Sequence, residues 1–430
     1  MSSRVVLGVG AGIAAYKTCE LLRLLTESGH QVRVVPTPDA LRFVGDVTWA
    51  ALSGQPVTTD AWTDVAEVPH VRLGQAADLV VVAPATADLM ARAAAGMAGD
   101  LLAATLLTAR CPVLYAPAMH TEMWEHPATQ ANVALLRRRG AIVLEPAVGR
   151  LTGADSGAGR LPEPAAIYAV VTRLLARAGR GDPLRPDLAG RRVVVSAGGT
   201  REEIDPVRFI GNWSTGTQGY ALARTAVARG AEVTVVAANV ALPDPAGAKV
   251  VRVVSACEMR DAVLAAAALG GGADAVVMAA AVADYRPRAR SAAKIKKDGQ
   301  PPEPLRLTEN PDILAGLAVA RRDRAAAGQN DPERAGLAAP ATARQVLVGF
   351  AAETDTAAGA ARAKLVRKGC DLLVVNPVGD GLGFGTPDNE GVVYGADGTV
   401  TPIPRGPKET LADVVWDLVA ARMNESADDA

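Results

Sequence analysis

Two short stretches, one in each half of the chain, combine small residues with side chains that donate hydrogen bonds or carry charge. The first, residues 117–124, reads Pro-Ala-Met-His-Thr-Glu-Met-Trp. The second starts at Gly198 with Gly-Gly-Thr-Arg-Glu-Glu-Ile-Asp-Pro-Val-Arg and resumes at Gly211 with Gly-Asn-Trp-Ser-Thr-Gly. Each stretch follows a short β-branched run, and an open α/β sheet binds ligands beyond the carboxyl ends of its strands. The sequence therefore predicts two active sites.

The second stretch suits the activation of a carboxylate by a nucleotide. That chemistry needs a loop that accepts phosphates, cations against the developing charge, and a donor on the acyl oxygen. Residues 196–200 form a loop of small residues, Asn212 can donate to a carbonyl, and Lys294, Lys296 and Lys297 supply positive charge. Taken alone, this lysine cluster is better explained as a solvated turn.

The first half offers weaker local signals. Residues 8–17 form a small-residue loop that leads into a helix, where backbone amides can approach an anion, but a tight turn explains it equally well. His70 is one of only four histidines, and a single histidine is more often structural than catalytic. Met119 and Trp124 fit an apolar core as well as a site. The glycine-rich residues 155–160 indicate a turn or a mobile flap.

Composition excludes several classes of protein. A chain of 430 residues with 49% hydrophobic and 21% charged residues is globular and long enough for two domains. The net charge of -1 gives no electrostatic reason to expect a nucleic-acid or membrane partner. We expect no transmembrane span and no signal peptide. The four cysteines are far apart, so neither a zinc site nor a disulfide framework is indicated, and we expect a cytoplasmic protein.

Short apolar runs alternate with helical patterns along both halves, which predicts α/β domains with parallel sheets. The glycine, proline and charge-rich segment after residue 178 predicts a linker. The expected boundaries are a first domain at 1–178, a linker at 179–190, a second domain at 191–423 and a disordered tail at 424–430.

Several segments of the first half, in order, resemble the flavin-dependent cysteine decarboxylases. Together with the second half they resemble the bifunctional phosphopantothenoylcysteine decarboxylase/phosphopantothenate–cysteine ligases of coenzyme A synthesis, over nearly the whole chain. The resemblance implies two Rossmann-like domains, an N-terminal flavodoxin-like flavoprotein domain and a C-terminal nucleotide-using ligase domain. The segments of the first half are residues 8–17, His70, 83–88, 117–124 and 151–161.

For the first half, the resemblance implies FMN bound between the subunits of a trimer. The substrate thiol would be oxidised to a thioaldehyde, carbon dioxide would leave, and a hydride would return from the reduced flavin. His70 matches the catalytic histidine of the family. The implied substrate-binding residues are Met119, His120, Asp155 and Arg160. The implied FMN-binding residues are Gly10, Gly12, Ile13, Thr37, Thr86 and Ala87.

For the second half, residues 280–287, 294–297, 310–314 and 349–354 resemble the ligase domain. The resemblance implies CTP and Mg²⁺, with metal ligands unassigned. Phosphopantothenate would form an acyl-cytidylate, from which the amine of cysteine displaces CMP. Asn212 and Lys294 match catalytic positions of the family. Asp205 and Arg208 fall in a substrate-facing segment that forms the dimer in the family. The implied CTP-binding residues are Gly199, Ser214, Gly216, Ala281, Asp284, Lys294, Phe350, Lys364 and Lys368.

The same resemblance implies the partners. The expected partners are small-molecule substrates and further copies of the chain. We expect neither a nucleic-acid partner nor a membrane partner. Trimeric flavin domains combined with dimeric ligase domains would build a dodecamer.

Departures from the family pattern lie beside both sites. Gly10-Ala11 stands where Ser-Gly is usual, His120 where asparagine is usual, and Thr152-Gly153-Ala154-Asp155 lacks the usual flap cysteine. Gly99 replaces an acidic residue, and Trp213 and Thr217 replace an arginine and a lysine. These changes keep open a diverged paralogue that applies the same chemistry to another carboxylate. A non-catalytic flavoprotein that regulates a partner is disfavoured, because His70, Asn212, Asp284 and the lysines are retained.

Overall fold

The computed structural model describes residues 2–59, 68–150, 156–178, 186–268, 272–296, 304–329, 345–353, 358–379, 386 and 388–428. The chain divides into two compact units. One contains Met1–Arg191, Arg224–Glu232 and Pro245–Ala248, and the other contains Arg192–Ala223, Val233–Asp244 and Lys249–Ala430. The boundaries proposed from the sequence stay predictions.

The first unit is built on a parallel sheet. Its strands are β1 (Arg4–Val9), β2 (Gln31–Pro36), β3 (Leu79–Ala85), β4 (Val113–Pro117) and β5 (Ile142–Val143). In the described residues of this unit they form one sheet in the order β2-β1-β3-β4-β5, and all pairs are parallel. Strand β3 is buried along its whole length, as expected for a parallel strand that is covered on both faces. The predicted strands are confirmed.

Helices cover this sheet, and a hairpin follows it. The helices are α1 (Ala15–Glu27), α2 (Asp46–Ser53), α3 (Pro69–Ala76), α4 (Ala87–Ala95), α5 (Leu101–Thr108), α6 (Thr121–Glu125), α7 (Pro127–Arg138) and α8 (Pro164–Ala178). The antiparallel hairpin consists of β6 (Ala147–Arg150) and β7 (Ser156–Arg160). Helix α1 buries Ala15, Thr18, Leu22 and Leu25, and this spacing of three and four residues places one apolar stripe on the sheet.

The second unit contains a larger, mixed sheet. Its strands are β8 (Arg192–Gly198), β9 (Arg201–Glu203), β10 (Phe209–Gly211), β11 (Glu232–Ala238), β12 (Ala248–Val253), β13 (Ala275–Met278), β14 (Tyr285–Pro287), β15 (Leu307–Glu309), β16 (Val346–Glu353), β17 (Leu372–Pro377), β18 (Asp388–Gly395) and β19 (Val400–Pro407). Within the described residues the main sheet runs β12-β11-β8-β13-β16-β17-β18-β19. The pairs β9-β10 and β14-β15 form separate small antiparallel sheets.

Helices α9 (Thr217–Ala228), α10 (Ala256–Ala268), α11 (Ile313–Gln329), α12 (Ala358–Lys368) and α13 (Lys408–Asp428) complete this unit. Helix α13 continues to Asp428, past residue 423, where the tail was expected to begin. It is anchored by Trp416, which is fully buried and donates from its indole nitrogen to the carbonyl of Leu222 at 2.9 Å. Among the described helices, none is long and apolar enough to cross a membrane.

The antiparallel edge of the larger sheet was not predicted. Strands β18 and β19 pair with each other and extend the sheet from β17. Their sequence is rich in glycine and proline, which hid the alternation of apolar residues. The turn between them contains Asp397-Gly398, with Gly398 at a φ of 88°, and an Asp-Gly pair between apolar runs is a strong hairpin signal. The hairpin was therefore detectable from the sequence.

Both sheets contain a topological switch point, where successive connections leave a strand in opposite directions. In the first sheet β1 lies between β2 and β3, and in the second β8 lies between β11 and β13. Loops that leave such neighbouring strands diverge and open a crevice at the carboxyl ends. The predicted sites at residues 8–17 and 198–216 therefore fall at the switch points.

Gly198 tests how tightly the second switch point is packed. Its φ is 85°, and a Cβ there would lie 1.9 Å from the carbonyl oxygen of Ala238. We expect Gly198→Ala to destabilise the second unit by about 2 kcal/mol or more, through the clash and the left-handed backbone. As a control, Gly316→Ala lies at an exposed position of helix α11 with open space around its Cβ and should stabilise by about 0.5–1 kcal/mol. Urea unfolding measures both, and equal midpoints for both variants would contradict the prediction.

Candidate active sites

The backbone at the end of β1 lies directly against the loop after β3. The amide of Gly10 donates to the carbonyl of Pro84 at 3.0 Å. A Cβ at Gly10 would stand 2.5 Å from that oxygen and 3.3 Å from Cγ2 of Thr86. A side chain at residue 10 would therefore require the two loops to shift apart.

Two threonines flank this loop, and their hydroxyls differ in hydrogen bonding. Thr86 caps helix α4 by accepting from the amide of Leu89 at 3.2 Å, so its proton remains available as a donor. Thr37 follows β2, and its amide donates to the carbonyl of Val9 at 2.9 Å. Its side chain is only 5% exposed, and Oγ1 has no hydrogen-bond partner among the described residues. A buried hydroxyl without a partner costs roughly 1–3 kcal/mol, which indicates that a ligand group belongs there.

A ring of contacts continues from this loop. The amide of Ala118, after β4, donates to the carbonyl of Ala85, after β3, at 3.1 Å. The next residue, Met119, donates through its amide to the carbonyl of Gly159 on β7 at 2.9 Å. A Cβ at Gly159 would lie 2.2 Å from the carbonyl oxygen of Met119, so the hairpin strand approaches the 117–124 motif by backbone alone.

Charged side chains complete the ring. Arg160, at the end of β7, pairs with Glu163, and Glu163 also accepts from Nζ of Lys17 on α1 at 3.1 and 3.2 Å. The loops after β1, β3 and β4, the hairpin and the first turn of α1 are therefore joined in one circuit. Glu163 was not identified from the sequence, and Lys17 was included only as the last residue of the 8–17 segment, because the contact joins residues that are 146 positions apart.

The other predicted residues of the first site differ in burial and in hydrogen bonding. The side chain of Trp124 is buried in the core, with Met119 packed against the same cluster. His120 is exposed at the start of α6 without a side-chain capping bond. His126 caps α7 by accepting from the amide of Ala128, as expected. Asp155 and the rest of segment 151–155 lie outside the described residues.

Two more polar atoms of the first unit are buried without a partner in the part of the chain that the structure describes. They are Nδ1 of His70 and Oγ1 of Thr121. His70 lies in the first turn of α3, where its carbonyl accepts from Thr108 at 2.7 Å. A Cβ at Gly157 would be 2.3 Å from Oγ1 of Thr121, so the hairpin covers that hydroxyl. Both atoms retain the capacity to bond a ligand.

At the second site the loop after β8 pairs with the loop after β13. The amide of Ala281 donates to the carbonyl of Gly198 at 2.8 Å, and the amide of Thr200 donates to the carbonyl of Ala281 at 3.3 Å. The hydroxyl of Thr200 accepts from the amide of Ala283 at 2.9 Å. The amides and carbonyls of the two loops are thus largely satisfied by each other, and the crevice is rigid before any ligand enters.

Asn212 and the following loop pack on the same glycines. A Cβ at Gly199 would lie 2.7 Å from the carbonyl oxygen of Asn212 and 3.3 Å from Cβ of Ser214. The amide nitrogen of the Asn212 side chain donates to the carbonyl of Val282 at 3.1 Å. Gly216 enters α9 with a φ of 81°. The structure therefore brings together four predicted residues of this site, namely Gly199, Asn212, Ser214 and Gly216.

The two departures from the family pattern in this loop are now located. Trp213 is 88% exposed, so its indole packs on nothing within the described residues of the chain. The hydroxyl of Thr217 lies 2.7 Å from that of Thr215, and this neutral pair stands at the start of α9, where the family commonly has a lysine.

Asp205 organises the segment that carries Lys294. It is 1% exposed, and its carboxylate accepts from the guanidinium of Arg208 at 3.0 and 2.5 Å and from the amide of Ile295 at 3.2 Å. The hydrogen bonds from Arg208 hold the pKa of Asp205 well below its usual range, against the opposing effect of burial. Asp205 is thus occupied by protein donors and positions Arg208 and Lys294, rather than offering free oxygens to a substrate.

The remaining predicted nucleotide contacts lie along the neighbouring strands and helix. On α12, Lys364 pairs with Glu353 at 2.8 Å and Lys368 with Asp312 at 2.6 Å. Phe350 lies on β16, one residue beyond the register pair of Met278 and Gly349. Asp284 is exposed, and its carbonyl accepts from the amide of Asn310 at 2.8 Å. Lys297 and Thr354 lie outside the described residues.

Asn239 was missed by the sequence analysis. It follows β11 with a φ of 53°, and its side-chain amide donates to the carbonyls of Gly199 and Val254 at 2.9 and 3.0 Å. Asparagine tolerates the left-handed region better than most residues do. Its place directly after a strand was the signal that could have identified it.

Fold and sites together define a two-part α/β protein, with one candidate ligand site at the switch point of each sheet. Residues 1–176 match the flavoprotein family. Residues 188–328 and 334–423 match the family described as DNA/pantothenate metabolism flavoprotein C-terminal domain.

Similar proteins cover the whole chain. It is 58% identical over 421 residues to the coenzyme A biosynthesis bifunctional protein CoaBC of Mycobacterium tuberculosis, a match that covers 97% of this chain and 96% of that protein. It is 39% identical over 424 residues to the protein of the same name from Vibrio cholerae, covering 98% of each. A solved C-terminal domain of a CoaBC protein shares 32% identity at a TM-score of 0.43, covering 56% of this chain and 99% of that chain.

The chain therefore belongs to the family of coenzyme A biosynthesis bifunctional proteins. It is an enzyme with decarboxylase and ligase activities. Identity at this level over nearly the full length does not favour the alternative of a paralogue that acts on a different carboxylate.

The Asp205 network generates a prediction about pH. Because the pKa of Asp205 is lowered in the folded state, its ionised form stabilises the fold above the unfolded-state pKa of about 3.9, and this stabilisation is lost as the pH falls below it. We expect Asp205→Asn to be less stable than the wild type at pH 7, with a difference that shrinks below about pH 4. Urea unfolding at stepped pH values measures this.

A matched control for this prediction is Asp261→Asn, which changes an exposed surface pair with Arg260 and should have little effect at any pH. If the stability loss in Asp205→Asn stayed constant down to pH 3, the shape of the side chain rather than its charge would be responsible.

Proposed function

We propose that the first half binds FMN at the β1–β3 switch point and decarboxylates phosphopantothenoylcysteine to phosphopantetheine. The observation that carries this is the closed circuit of loops in a unit that also holds polar atoms buried without partners in the described residues, namely Oγ1 of Thr37, Nδ1 of His70 and Oγ1 of Thr121. Polar groups in that state are rare in folded proteins. Membership of the flavoprotein family and the neighbour titled "The FMN binding protein AtHal3" agree with a flavin there.

The residues present fit FMN. The loop from Gly10 to Ile13 leaves backbone space that a side chain at Gly10 would fill. The start of α4 at Ala87 offers amides and the positive end of a helix dipole to an anion or a ring oxygen, and Thr37 and Thr86 each have a hydroxyl donor. When bound, FMN supplies the two-electron oxidation of the substrate thiol and the return of the hydride.

The protein's own groups then bind the substrate and move its protons. The circuit holds Met119 and His120 beside the hairpin, where an imidazole at residue 120 can donate to the substrate carboxylate as an amide would. His70 exchanges a proton with the substrate, because a neutral imidazole accepts at one nitrogen and donates at the other. The hairpin strand β7 covers the motif and limits the access of water.

For the second half we propose the CTP-dependent ligation of phosphopantothenate with cysteine, with Mg²⁺ bound mainly through the nucleotide phosphates, as is usual for this ion. The carboxylate attacks the α-phosphate of CTP, diphosphate leaves, and the amine of cysteine then displaces CMP. The rigid pairing of Gly198–Thr200 with Ala281 and Ala283 supports this, because it fixes a backbone cradle beside the amide of Asn212. Lys294, exposed and held in place by its neighbour Ile295, supplies positive charge.

We propose a homo-oligomer in which the flavin domains trimerise and the ligase domains dimerise. Apolar side chains of the small sheets, including Phe209, Tyr285 and Leu307, are exposed, as is Val207 in the loop between β9 and β10. The amide of Ser291 ties the loop after β14 to the carbonyl of Ile204, directly after β9, at 2.9 Å, so the two small sheets are neighbours. Contiguous exposed apolar patches commonly mark interfaces. The cytoplasmic location and the dodecamer stay predictions.

The partnerless hydroxyl of Thr37 predicts that one substitution will lower the affinity for FMN without lowering the stability of the flavin-free protein. Thr37→Val keeps the shape and removes the hydroxyl, so the flavin-free protein should be as stable as the wild type or more so. The affinity for FMN should fall about tenfold, the value of roughly one hydrogen bond. Flavin fluorescence titration and urea unfolding measure the two effects.

Thr18→Val is the control, because the equally buried hydroxyl of Thr18 already donates to the carbonyl of Ala83 at 2.8 Å. It should lose stability without flavin. If Thr37→Val also destabilised the flavin-free protein, the hydroxyl of Thr37 would have a structural role instead.

A pair of variants tests the function itself. Given phosphopantothenate, cysteine, CTP and Mg²⁺, the wild type should form phosphopantetheine. His70→Asn should keep its flavin but accumulate phosphopantothenoylcysteine, with decarboxylation slowed roughly 10²–10⁴-fold. Asn212→Asp should release almost no CMP, because a carboxylate replaces the donor on the acyl oxygen, while decarboxylation of supplied phosphopantothenoylcysteine continues. Mass spectrometry follows all products, and normal turnover in either variant would remove the role assigned to that residue.

A further inference from the structure

One charged cluster of the first unit is not explained by holding the flavin ring or by moving protons. Lys17, Arg160 and Glu163 form a three-membered network in which one carboxylate faces two cations. The ammonium of Lys17 lies 3.1 and 3.2 Å from the two oxygens of Glu163, and Arg160 pairs with the first of these oxygens. The network carries a net charge of about +1, because two cations share one anion.

The cluster is part of the circuit described above. Lys17 is in the first turn of α1, immediately after the small-residue loop that begins at Gly10. Arg160 is the last residue of β7 and follows Gly159, whose carbonyl holds the amide of Met119. Through Glu163, the two cations therefore connect the first turn of α1 with the hairpin that covers the 117–124 motif.

Of the three side chains, Lys17 differs from an ordinary surface charge, whereas Arg160 and Glu163 are 40% and 56% exposed. Lys17 is 17% exposed, whereas Arg23 on the same helix is 64% exposed and pairs with Glu27 one turn away. A partly buried ammonium needs a strong counter-charge. A single carboxylate shared with Arg160 provides less charge than the two cations can accept, which leaves capacity for a further anion.

We propose that Lys17 and Arg160 form the subsite for a phosphate monoester, with Glu163 holding the two cations in place when the subsite lacks a phosphate. A phosphate monoester at neutral pH carries up to two negative charges and three acceptor oxygens. An arginine fork and a lysine ammonium together match that geometry. This inference rests on the proposed decarboxylation, whose substrate and cofactor both end in such a group. The subsite binds the phosphate of the substrate, and the flavin phosphate is the other source of the same chemistry.

The test compares substrates that differ only in the phosphate. The full-length, flavin-loaded protein is supplied with phosphopantothenoylcysteine or with pantothenoylcysteine, which bypasses the ligase. The measured quantity is the ratio of kcat/KM for the phosphorylated over the unphosphorylated substrate. Lys17→Met keeps the aliphatic stem and removes the charge, and the ratio should fall about ten- to hundredfold. Arg23→Met, on an exposed face of the same helix, should leave the ratio unchanged.

A second variant separates a phosphate subsite from a merely structural network. Glu163→Gln removes the competing negative charge, so the ratio should rise several-fold. If the network only holds the hairpin in place, Lys17→Met and Glu163→Gln should lower turnover of both substrates alike and leave the ratio unchanged, which would overturn the proposal.

A second set of measurements, of flavin affinity, distinguishes the two sources of phosphate. Affinities for FMN and for riboflavin are measured on flavin-free wild type and Lys17→Met. Equal losses of affinity, or none, together with the fallen ratio assign the subsite to the substrate. A selective loss for FMN with an unchanged ratio assigns it to the flavin phosphate. An unchanged ratio and unchanged affinities for both flavins overturn the subsite. If the wild type turned over neither substrate, the proposed decarboxylation would be wrong. The flavin affinities alone would then show whether Lys17 contributes to a phosphate subsite.

Discussion

The direct pairing of loop backbones beyond the ends of the strands is the constraint on which both halves depend. In the first unit the amide of Gly10 reaches the carbonyl of Pro84 at 3.0 Å, and in the second the amide of Ala281 reaches the carbonyl of Gly198 at 2.8 Å. Each bond continues the sheet past its switch point, where the connections diverge. A Cβ at Gly10 or Gly198 would collide with a backbone oxygen. Backbone pairing therefore fixes the close approach of these loops, side-chain bonds such as those of Thr200 and Asn239 add to it, and the functional groups are positioned relative to them.

The two sites meet the demand for hydrogen bonds in different ways. At the proposed ligase site Thr200 and Asn239 bond to neighbouring backbone groups, so the cradle is complete on its own. In the unit of the proposed flavin site Thr37, His70 and Thr121 each keep a buried polar atom without a partner among the described residues. Leaving such groups unsatisfied costs stability, and a bound ligand that pairs with them recovers that cost. Flavin binding and the stability of the first unit should thus be strongly coupled.

The sequence was sufficient for the parallel strands and for placing both candidate loops at the carboxyl ends of strands, because buried parallel strands appear as continuous β-branched runs and ligand loops follow them. It was insufficient where long-range pairing decides the role of a residue. Asp205 looked like a substrate contact, yet its oxygens are occupied by Arg208 and by the amide of Ile295. The contact between Lys17 and Glu163 joins residues far apart in the chain. The hairpin of β18 and β19 was missed because glycine and proline obscured its alternation, although its Asp-Gly turn was visible.

Carboxylates hold cations in both sites in a similar way. Glu163 holds Lys17 and Arg160, Glu353 holds Lys364, and Asp312 holds Lys368. A free lysine side chain loses up to about 2 kcal/mol of conformational entropy when a ligand fixes it, and a carboxylate that fixes it beforehand removes part of this loss. The ligand must then compete with that carboxylate. A phosphate with two charges competes well and a carboxylate ligand with one charge does not, so the arrangement favours phosphorylated ligands over otherwise identical acids. This selectivity matters most in the second unit, where Thr217 replaces the lysine that is usual in the family. With that cation absent, discrimination between a nucleotide and other anions in the proposed site falls to Lys294, Lys364 and Lys368, of which the last two are already paired.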